Sequence, residues 1–202
     1  ADCVRLTDLS FGSDVVCEKD AFLNAGTLGA GVSVVYLDMV SEVNRPFWGT
    51  ENVRSVDLGK VTSIGDMAFY GSEGVEFTIP STVTYFGDLA MYGCTGLEEL
   101  VLGKDLTHIG VDAFKGCLVL TDVTFLAERC DDLIGGVFGD TGADMSFTIG
   151  APCSYIPSYL FEGADMDSLT VADTVTSIGK HAFLNFSGPE VILPQGLEDI
   201  GD

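Results

Sequence analysis

The sequence predicts an α/β repeat solenoid, a stack of short coils with a parallel β-sheet on one face and short helical or irregular turns on the other. Two observations carry this prediction. A two-part motif recurs at a nearly fixed period, and a short alternating apolar segment lies between its copies. A repeat of this length cannot bury its apolar face alone, so neighbouring repeats must stack on one another. We therefore expect a binding surface rather than an enclosed active-site cleft.

The motif is an Ile-Gly-like anchor followed by an Ala-Phe-like pair. Successive anchors are separated by 22, 23, 24, 23, 22 and 22 residues. The anchors are Ile64-Gly65, Phe86-Gly87, Ile109-Gly110, Leu133-Ile134, Ile156-Pro157, Ile178-Gly179 and Ile200-Gly201. The pairs are Ala68-Phe69, Ala90-Met91, Ala113-Phe114, Val137-Phe138, Leu160-Phe161 and Ala182-Phe183. No pair follows the last anchor, so the final coil is open, and we expect the chain to continue in a longer protein.

A strand is predicted ten or eleven residues after each aromatic position. Apolar residues two apart lie on the same face of a strand. The predicted inward positions are Phe77 and Ile79, Leu100 and Leu102, Val123 and Phe125, Phe147 and Ile149, Leu169 and Val171, and Val191 and Leu193.

An inward corner and a turn complete each predicted coil. The corner is a further apolar residue three positions before each anchor, namely Val83, Leu106, Cys130, Cys153, Val175 and Leu197. The glycine after the anchor is expected to permit a tight turn. The segment from Asp66 to Phe69 suits one helical turn.

The first part of the chain follows the same pattern less closely. Residues 35–202 are predicted to hold about seven repeats, the last incomplete, and residues 1–34 a divergent N-terminal coil or cap. In the first repeat, Val35 and Leu37 match the inward positions Val56 and Leu58, which would turn Tyr36 outward.

These residues resemble the BspA-like, or Treponema-type, leucine-rich repeats. The likeness rests on Thr62 to Phe69, on the run from Ile109 to Cys117 and on the run from Ser177 to Phe183. The resemblance implies a right-handed leucine-rich-repeat stack. It also implies cell-surface or secreted proteins that adhere to host matrix proteins or to other cells. Two residues depart from the family pattern, Met91 in place of Phe and Pro157 in place of Gly, and neither departure changes the expected fold.

Composition excludes several kinds of partner. The chain has 31 acidic and 9 basic residues among 202, a net charge of -22. Nucleic acids and anionic membrane surfaces require a basic footprint, which is absent here. The apolar runs are shorter than the roughly 18 residues of a membrane-spanning helix, so no membrane insertion is predicted. The acidic charge has two open interpretations, solubility of an extended stack or attraction of a basic partner.

The cysteines fall into two groups. Cys94 and Cys117 share one repeat position, and Cys130 and Cys153 share another. Adjacent coils are about 4.8 Å apart, which is within disulfide range, but parallel side-chain directions disfavour the bond. Free buried thiols are expected for these four. Cys3 and Cys17 lie outside the regular repeats, where a disulfide and two free thiols are equally open.

No catalytic or cofactor motif is found. His108 and His181 occupy unrelated repeat positions, so the chain is predicted not to be an enzyme and to need no cofactor. Acidic residues in two neighbouring turns leave a calcium-stabilised surface repeat as an alternative, because calcium takes six to eight oxygen ligands. These residues are Asp140, Asp144, Glu162, Asp165 and Asp167. No recognised calcium-loop spacing supports it.

The outward side of the sheet is the predicted binding surface. Its residues are Tyr36, Asp57, Thr78, Val101, Thr124, Thr148, Thr170 and Ile192. Threonine is also common in strands for conformational reasons alone. The predicted function is adhesion-type binding of a host matrix protein or another cell-surface protein, at the cell surface or outside the cell. The alternative is a structural spacer that projects another domain.

Overall fold

The computed structural model describes residues 5–12, 15–16, 31–36, 42–44, 53–142 and 144–201. The strands in these ranges are β1 (Asp8–Phe11), β2 (Val15–Val16), β3 (Val32–Tyr36), β4 (Glu42–Asn44), β5 (Val53–Asp57), β6 (Ser63–Ile64), β7 (Glu76–Thr78), β8 (Tyr85–Phe86), β9 (Glu99–Leu102), β10 (His108–Ile109), β11 (Asp122–Phe125), β12 (Ser146–Ile149), β13 (Tyr155–Ile156), β14 (Ser168–Val171), β15 (Ser177–Ile178) and β16 (Asp199–Ile200). Each recorded strand pairing is parallel, and each joins one coil to the next.

Two faces of the stack carry these strands. The longer strands form one face in the orders β1-β3-β5-β7 and β9-β11-β12-β14. The remaining strands, each of two or three residues, form a second face in the orders β2-β4-β6-β8-β10 and β13-β15-β16. The predicted parallel-sheet solenoid is therefore confirmed, with a second ladder that the sequence analysis did not predict.

The third side consists of turns, and the part of the chain that the structure describes contains no helix. Of the two forms predicted for this side, the helical turn is wrong and the irregular turn is found. Instead, alternate N–H groups bond within the coil and to the next coil: Tyr70 donates to the Met67 carbonyl at 3.3 Å, and Phe69 donates to the Ala90 carbonyl at 2.8 Å. A helix would direct all of its N–H groups back along its own chain, so it could not join neighbouring coils in this way.

Left-handed residues at two positions accompany this alternation in the turns after Ile64, Phe86, Ile109, Ile156 and Ile178, whereas the turn after Leu133 has only the second. The first lies three residues after the anchor and is held by Met67, Leu89, Asp112, Tyr159 and His181, with φ between 52° and 62°. The second lies four residues later and is held by Gly71, Gly93, Gly116, Asp140, Gly163 and Asn185. Glycine, asparagine and aspartate tolerate this conformation best, which explains the second set.

The core lies between the three sides and follows the predicted repeat positions. The first residue of every anchor from Ile64 to Ile178 is buried, and so are the corner residues from Val83 to Val175. A line of aromatic rings runs along the stack, with Phe114 and Phe138 stacked at a centroid distance of 5.4 Å. Phe147 and Phe161 continue it edge to face at 4.9 Å. Full burial of one such ring contributes roughly 2 to 3 kcal/mol.

The glycine of the anchor begins a tight turn, as expected, since the Ala68 N–H donates to the Gly65 carbonyl at 3.2 Å. It also lies where two coils stack closely. A Cβ atom on Gly110 would lie 2.3 Å from the carbonyl carbon of Gly87 in the preceding coil. One on Gly179 would lie 2.4 Å from the Ser158 nitrogen. Neither glycine has a positive φ. These positions therefore need glycine because two main chains approach each other there.

The ladders are interrupted at two different steps. No strand pairing joins β7 to β9 on the long-strand face, and none joins β10 to β13 on the short-strand face. At the second interruption carboxylates replace the missing strand. Asp132 accepts hydrogen bonds from the Ser158 N–H at 3.0 Å and from the Tyr155 hydroxyl, and Glu162 accepts one from the Gly136 N–H at 2.9 Å.

Candidate binding surfaces

An in-register row of side chains runs along the outside of the long-strand face. Asp57 pairs with Thr78, Val101 pairs with Thr124, and Thr148 follows Thr124 and precedes Thr170. Thr124 is half-buried and the other members are exposed. We call Asp57, Thr78, Val101, Thr124, Thr148 and Thr170 the sheet row. Its outward orientation follows from the alternation of strand side chains, because both neighbours of each residue are turned towards the core.

Tyr36 does not belong to the sheet row, and the prediction that placed it there is wrong. Its side chain is 4% exposed and stacks on Phe11 at 5.0 Å, whereas Val35 is 40% exposed. Val35 pairs with Asp57, so it is the outward residue at this step. The pairing of β3 with β5 shifts between Val32 and Ser33. A shift of one residue moves every side chain of a strand to the opposite face.

Ile192, at the other end of the predicted surface, is 80% exposed but lies outside the strands. Its neighbours Val191 and Leu193 are also only partly covered. The structure therefore leaves Ile192 beyond the last paired member of the row, Thr170. The row that the structure assembles therefore ends at Thr170, and at its other end Val35 has the outward place that was predicted for Tyr36.

The chemistry of the sheet row is that of a shallow contact surface. Its centre has short hydroxyl and aliphatic side chains, and Asp57 is its one charged member. Such side chains offer hydrogen bonds and small apolar contacts over several coil steps. The row can contact a partner surface, and each contact on its own is weak.

The two histidines lie on different sides of the stack and in different coils. The His108 ring stacks on Tyr85 at 4.8 Å on the short-strand face. His181 lies in a turn with φ of 55° and packs edge to face on Tyr159 at 5.3 Å. Each histidine is accounted for by an aromatic neighbour in the preceding coil, and the structure does not bring them together.

The acidic residues considered for calcium are not gathered into a site. Asp140 lies 3.9 Å from the Lys115 ammonium, and Glu162 accepts the Gly136 N–H. Among the residues that the structure describes, no three acidic, histidine or cysteine side chains are placed to hold a metal ion. The geometry gives no support to the calcium-stabilised alternative.

Comparison with known families identifies the repeat. A family model for the BspA type leucine rich repeat region matches residues 40–142 and 154–202, with 6 copies. The chain belongs to this BspA-type family. The resemblance read from the anchor and pair residues is thereby confirmed.

Two solved structures are similar to this BspA-type chain. A leucine-rich repeat protein from Bacteroides ovatus ATCC 8483 matches with a TM-score of 0.51 and 18% identity, over 99% of this chain and 76% of that protein. A leucine rich cell surface protein from Faecalibacterium prausnitzii A2-165 matches with a TM-score of 0.47 and 16% identity, over 96% of this chain and 69% of that protein. The first supports the fold alone.

A search of curated proteins gives no match to this BspA-type chain. In the described part of the chain there is also no helix whose length and apolar character would let it cross a membrane.

The paired cysteines of this BspA-type solenoid are free buried thiols, as expected. The Cys94 Sγ donates to the Phe69 carbonyl at 3.2 Å. Burial raises the pKa of the Cys117 and Cys130 thiols to about 12 and also raises those of Cys94 and Cys153. Cys3 and Cys17 lie outside the described residues, so the predicted alternatives for them are unchanged.

The sequence analysis did not identify Ser72 and Thr141 as members of the buried repeat position that Cys94 and Cys117 share. The position eight residues after the anchor holds Ser72, Cys94, Cys117 and Thr141, all buried. The last three each donate to a main-chain carbonyl. Their common property is a small side chain with one donor. The alignment of Ser, Cys, Cys and Thr at one repeat position was the available signal.

Proposed function

We propose that this chain is a non-enzymatic, adhesion-type protein-binding module at the cell surface or outside the cell, and that the sheet row makes the contact. The observation that supports this most directly is the register of the row. Val101, Thr124, Thr148 and Thr170 come from four consecutive strands and face outward at matching positions. A partner can therefore contact several coils at once.

The partner we propose is a protein, either a host matrix protein or another cell-surface protein. Solenoids present extended surfaces assembled from successive repeats, and such surfaces suit protein partners. Membership of the BspA-type family supports the same class of partner and the same location. The net charge of -22 disfavours a nucleic acid in this role.

The test is a pair of lysines in the sheet row. The double variant Thr124→Lys, Thr148→Lys places two long charged side chains at the centre of the row, where both native side chains are short. We expect binding to a panel of immobilised matrix proteins to be lost while the circular dichroism spectrum and melting temperature stay the same.

The matched control adds the same charge elsewhere. Ser81 and Ser187 are exposed and lie outside the sheet row, so Ser81→Lys, Ser187→Lys should leave binding intact. Equal binding by both double variants would contradict the assignment to the sheet row. Binding of the native chain that never exceeds that of an acidic control protein would instead favour the structural spacer.

A further inference from the structure

An apolar groove borders the sheet row at the edge where the long strands begin. Its cavity, of about 330 Å³, is lined by the turn from Leu118 to Thr121, with Glu98 on one side and Asp144 on the other. Leu118 is 60% exposed and Val119 is 38% exposed. The turn is fixed from below, since the Leu120 N–H donates to the carbonyl of buried Cys117 at 3.1 Å. Two apolar side chains are thus presented to solvent on a rigid support.

The repeat itself does not require these apolar side chains. The two preceding coils place Glu73-Gly74 and Thr95-Gly96 at the same position of the turn. The second of these coils closes the same turn, because the Leu97 N–H donates to the Cys94 carbonyl at 3.3 Å. A polar residue and a glycine therefore satisfy the fold. Leu118 and Val119 are an addition to this coil, and their exposure means that the core gains little from them.

A second cavity continues the groove along the stack. It has a volume of about 250 Å³, shares Glu98 as a wall, and is also lined by Glu76, Phe77 and Glu99. It lies at the step between β7 and β9, where no strand pairing joins the two coils. We call the two cavities together the rim groove. Its lining combines four apolar side chains, those of Phe77, Leu118, Val119 and Leu120, with carboxylates at both ends and at the centre.

We propose that the rim groove binds an extended peptide segment in which basic side chains alternate with aliphatic ones. Apolar side chains of the segment would cover Leu118, Val119 and Phe77. Its basic side chains would meet Glu76, Glu98 and Asp144. None of the described residues that line either cavity is basic, so no charge within the groove competes with such a ligand. The chain's acidic excess steers a basic segment towards it.

The dimensions of the rim groove suit a short segment that runs along the solenoid axis. Its walls come from four consecutive coils, which at about 4.8 Å per step span roughly 14 Å. Extended chain advances about 3.3 Å per residue, so four or five residues cover this distance. Alternation of two side-chain types then directs one type to the groove floor and the other to the carboxylates.

The experiment measures fluorescence anisotropy of a labelled eight-residue peptide of alternating Lys and Leu. Two comparison peptides, one with Ser in place of Leu and one with Glu in place of Lys, remove the apolar and the basic component separately. We expect saturable binding of the first peptide, weakened by added salt, and much weaker binding of both comparison peptides.

Two variants locate this binding. The double variant Leu118→Thr, Val119→Gly copies the preceding coil, so it should fold normally. We expect its affinity for the Lys-Leu peptide to fall by about fivefold or more, which is the loss expected when contact residues worth over 1 kcal/mol are truncated. The double variant Glu98→Gln, Asp144→Asn should lower the affinity for this peptide by a similar factor. The charge-matched control Asp173→Asn, Glu190→Gln changes two exposed carboxylates outside the groove and should have no effect.

The outcomes separate this proposal from the sheet row. If the control and Glu98→Gln, Asp144→Asn lower the peptide affinity equally, the peptide is attracted to the overall charge, and the proposal of a groove site is overturned. Undiminished binding by either groove variant would overturn it as well, as would absence of peptide binding by the native chain. All of these results leave the matrix-protein test of Thr124 and Thr148 unaffected, because that test uses a different partner and a different surface.

Discussion

The Cys117 thiol donates a hydrogen bond to the main-chain carbonyl of Met91 in the preceding coil, at 3.2 Å. The donor comes from a buried side chain that belongs to the turn of one coil, and the acceptor belongs to the Ala-Phe-like pair of the coil before it. Cys94 repeats the arrangement with Phe69 one coil earlier. The thiols therefore join coils as neutral donors, a function that requires them to keep their protons.

The raised thiol pKa values predict a loss of stability in alkali. The unfolded chain releases the Cys117 proton near the ordinary pKa of about 9, whereas the folded chain holds it until about 12. The contribution of Cys117 to stability is therefore complete below about pH 9 and is lost as pH rises towards 12. Between about pH 8 and pH 10 the native chain should lose about 1 kcal/mol more than Cys117→Ala, measured by urea unfolding. Parallel losses in the two proteins would contradict the burial of this thiol.

Gly71→Ala should destabilise the chain by about 1 to 2 kcal/mol, because Gly71 has φ of 67° and an L-residue resists that conformation. A Cβ at this position would meet no atom within 4 Å, so the conformation is the sole cause. Gly135→Ala is the control, since Gly135 lacks a positive φ and its Cβ would approach no atom closer than 3.7 Å. Thermal unfolding of the two variants measures the difference, and equal melting temperatures would refute the left-handed turn.

Gly110→Ala should destabilise the chain through close contact rather than conformation. Its Cβ would lie 2.3 Å from the Gly87 carbonyl carbon and 2.4 Å from the Asp88 nitrogen, so two main chains must separate. Overpacking of this kind costs about 1 to 3 kcal/mol. Exchange of the Gly110 amide hydrogen, which bonds the Phe86 carbonyl at 2.8 Å, should also accelerate in the variant. A variant with native stability and native exchange would exclude the close approach.

Asp132 should make the chain sensitive to acid. Hydrogen bonds from the Tyr155 hydroxyl and then from the Ser158 N–H lower the pKa of Asp132. A lowered folded-state pKa adds stability above the ordinary value near 3.8 that disappears as pH falls through the folded-state value. Denaturant unfolding at about pH 6 and pH 3 should therefore show a larger acid loss for the native chain than for Asp132→Asn. An equal loss of stability in both proteins would show that the Asp132 carboxylate does not stabilise the contact between coils.

The sequence predicts the core of this fold well because one apolar pattern is repeated many times. Ile64, Ile109 and Ile178 are all buried. Because the anchors repeat, a wrong assignment at one of them would have disagreed with the others. Tyr36 was misassigned for the opposite reason, since a shift within one strand pair alters the offset only once. The turn was misassigned because Met67 and His181 have no sequence property that favours a positive φ.

The candidate surfaces were predicted less completely than the core. The alternation of the strands identifies Thr124 and Thr148 as outward residues without knowledge of the structure. The rim groove was not predicted, because Leu118 and Val119 look like ordinary core residues until the turn places them in solvent. Apolar character alone does not distinguish an inward from an outward residue outside the regular strands.

The interruption between β7 and β9 has a mechanical consequence for the stack of coils. At that step no strands pair on the long-strand face. On the other two sides β6 still pairs with β8, and the Phe69 N–H still donates to the Ala90 carbonyl. The other interruption, between β10 and β13, lies on a different face and a different coil. Tension along the stack would therefore open a one-sided hinge at Phe77 before it could part the coils completely.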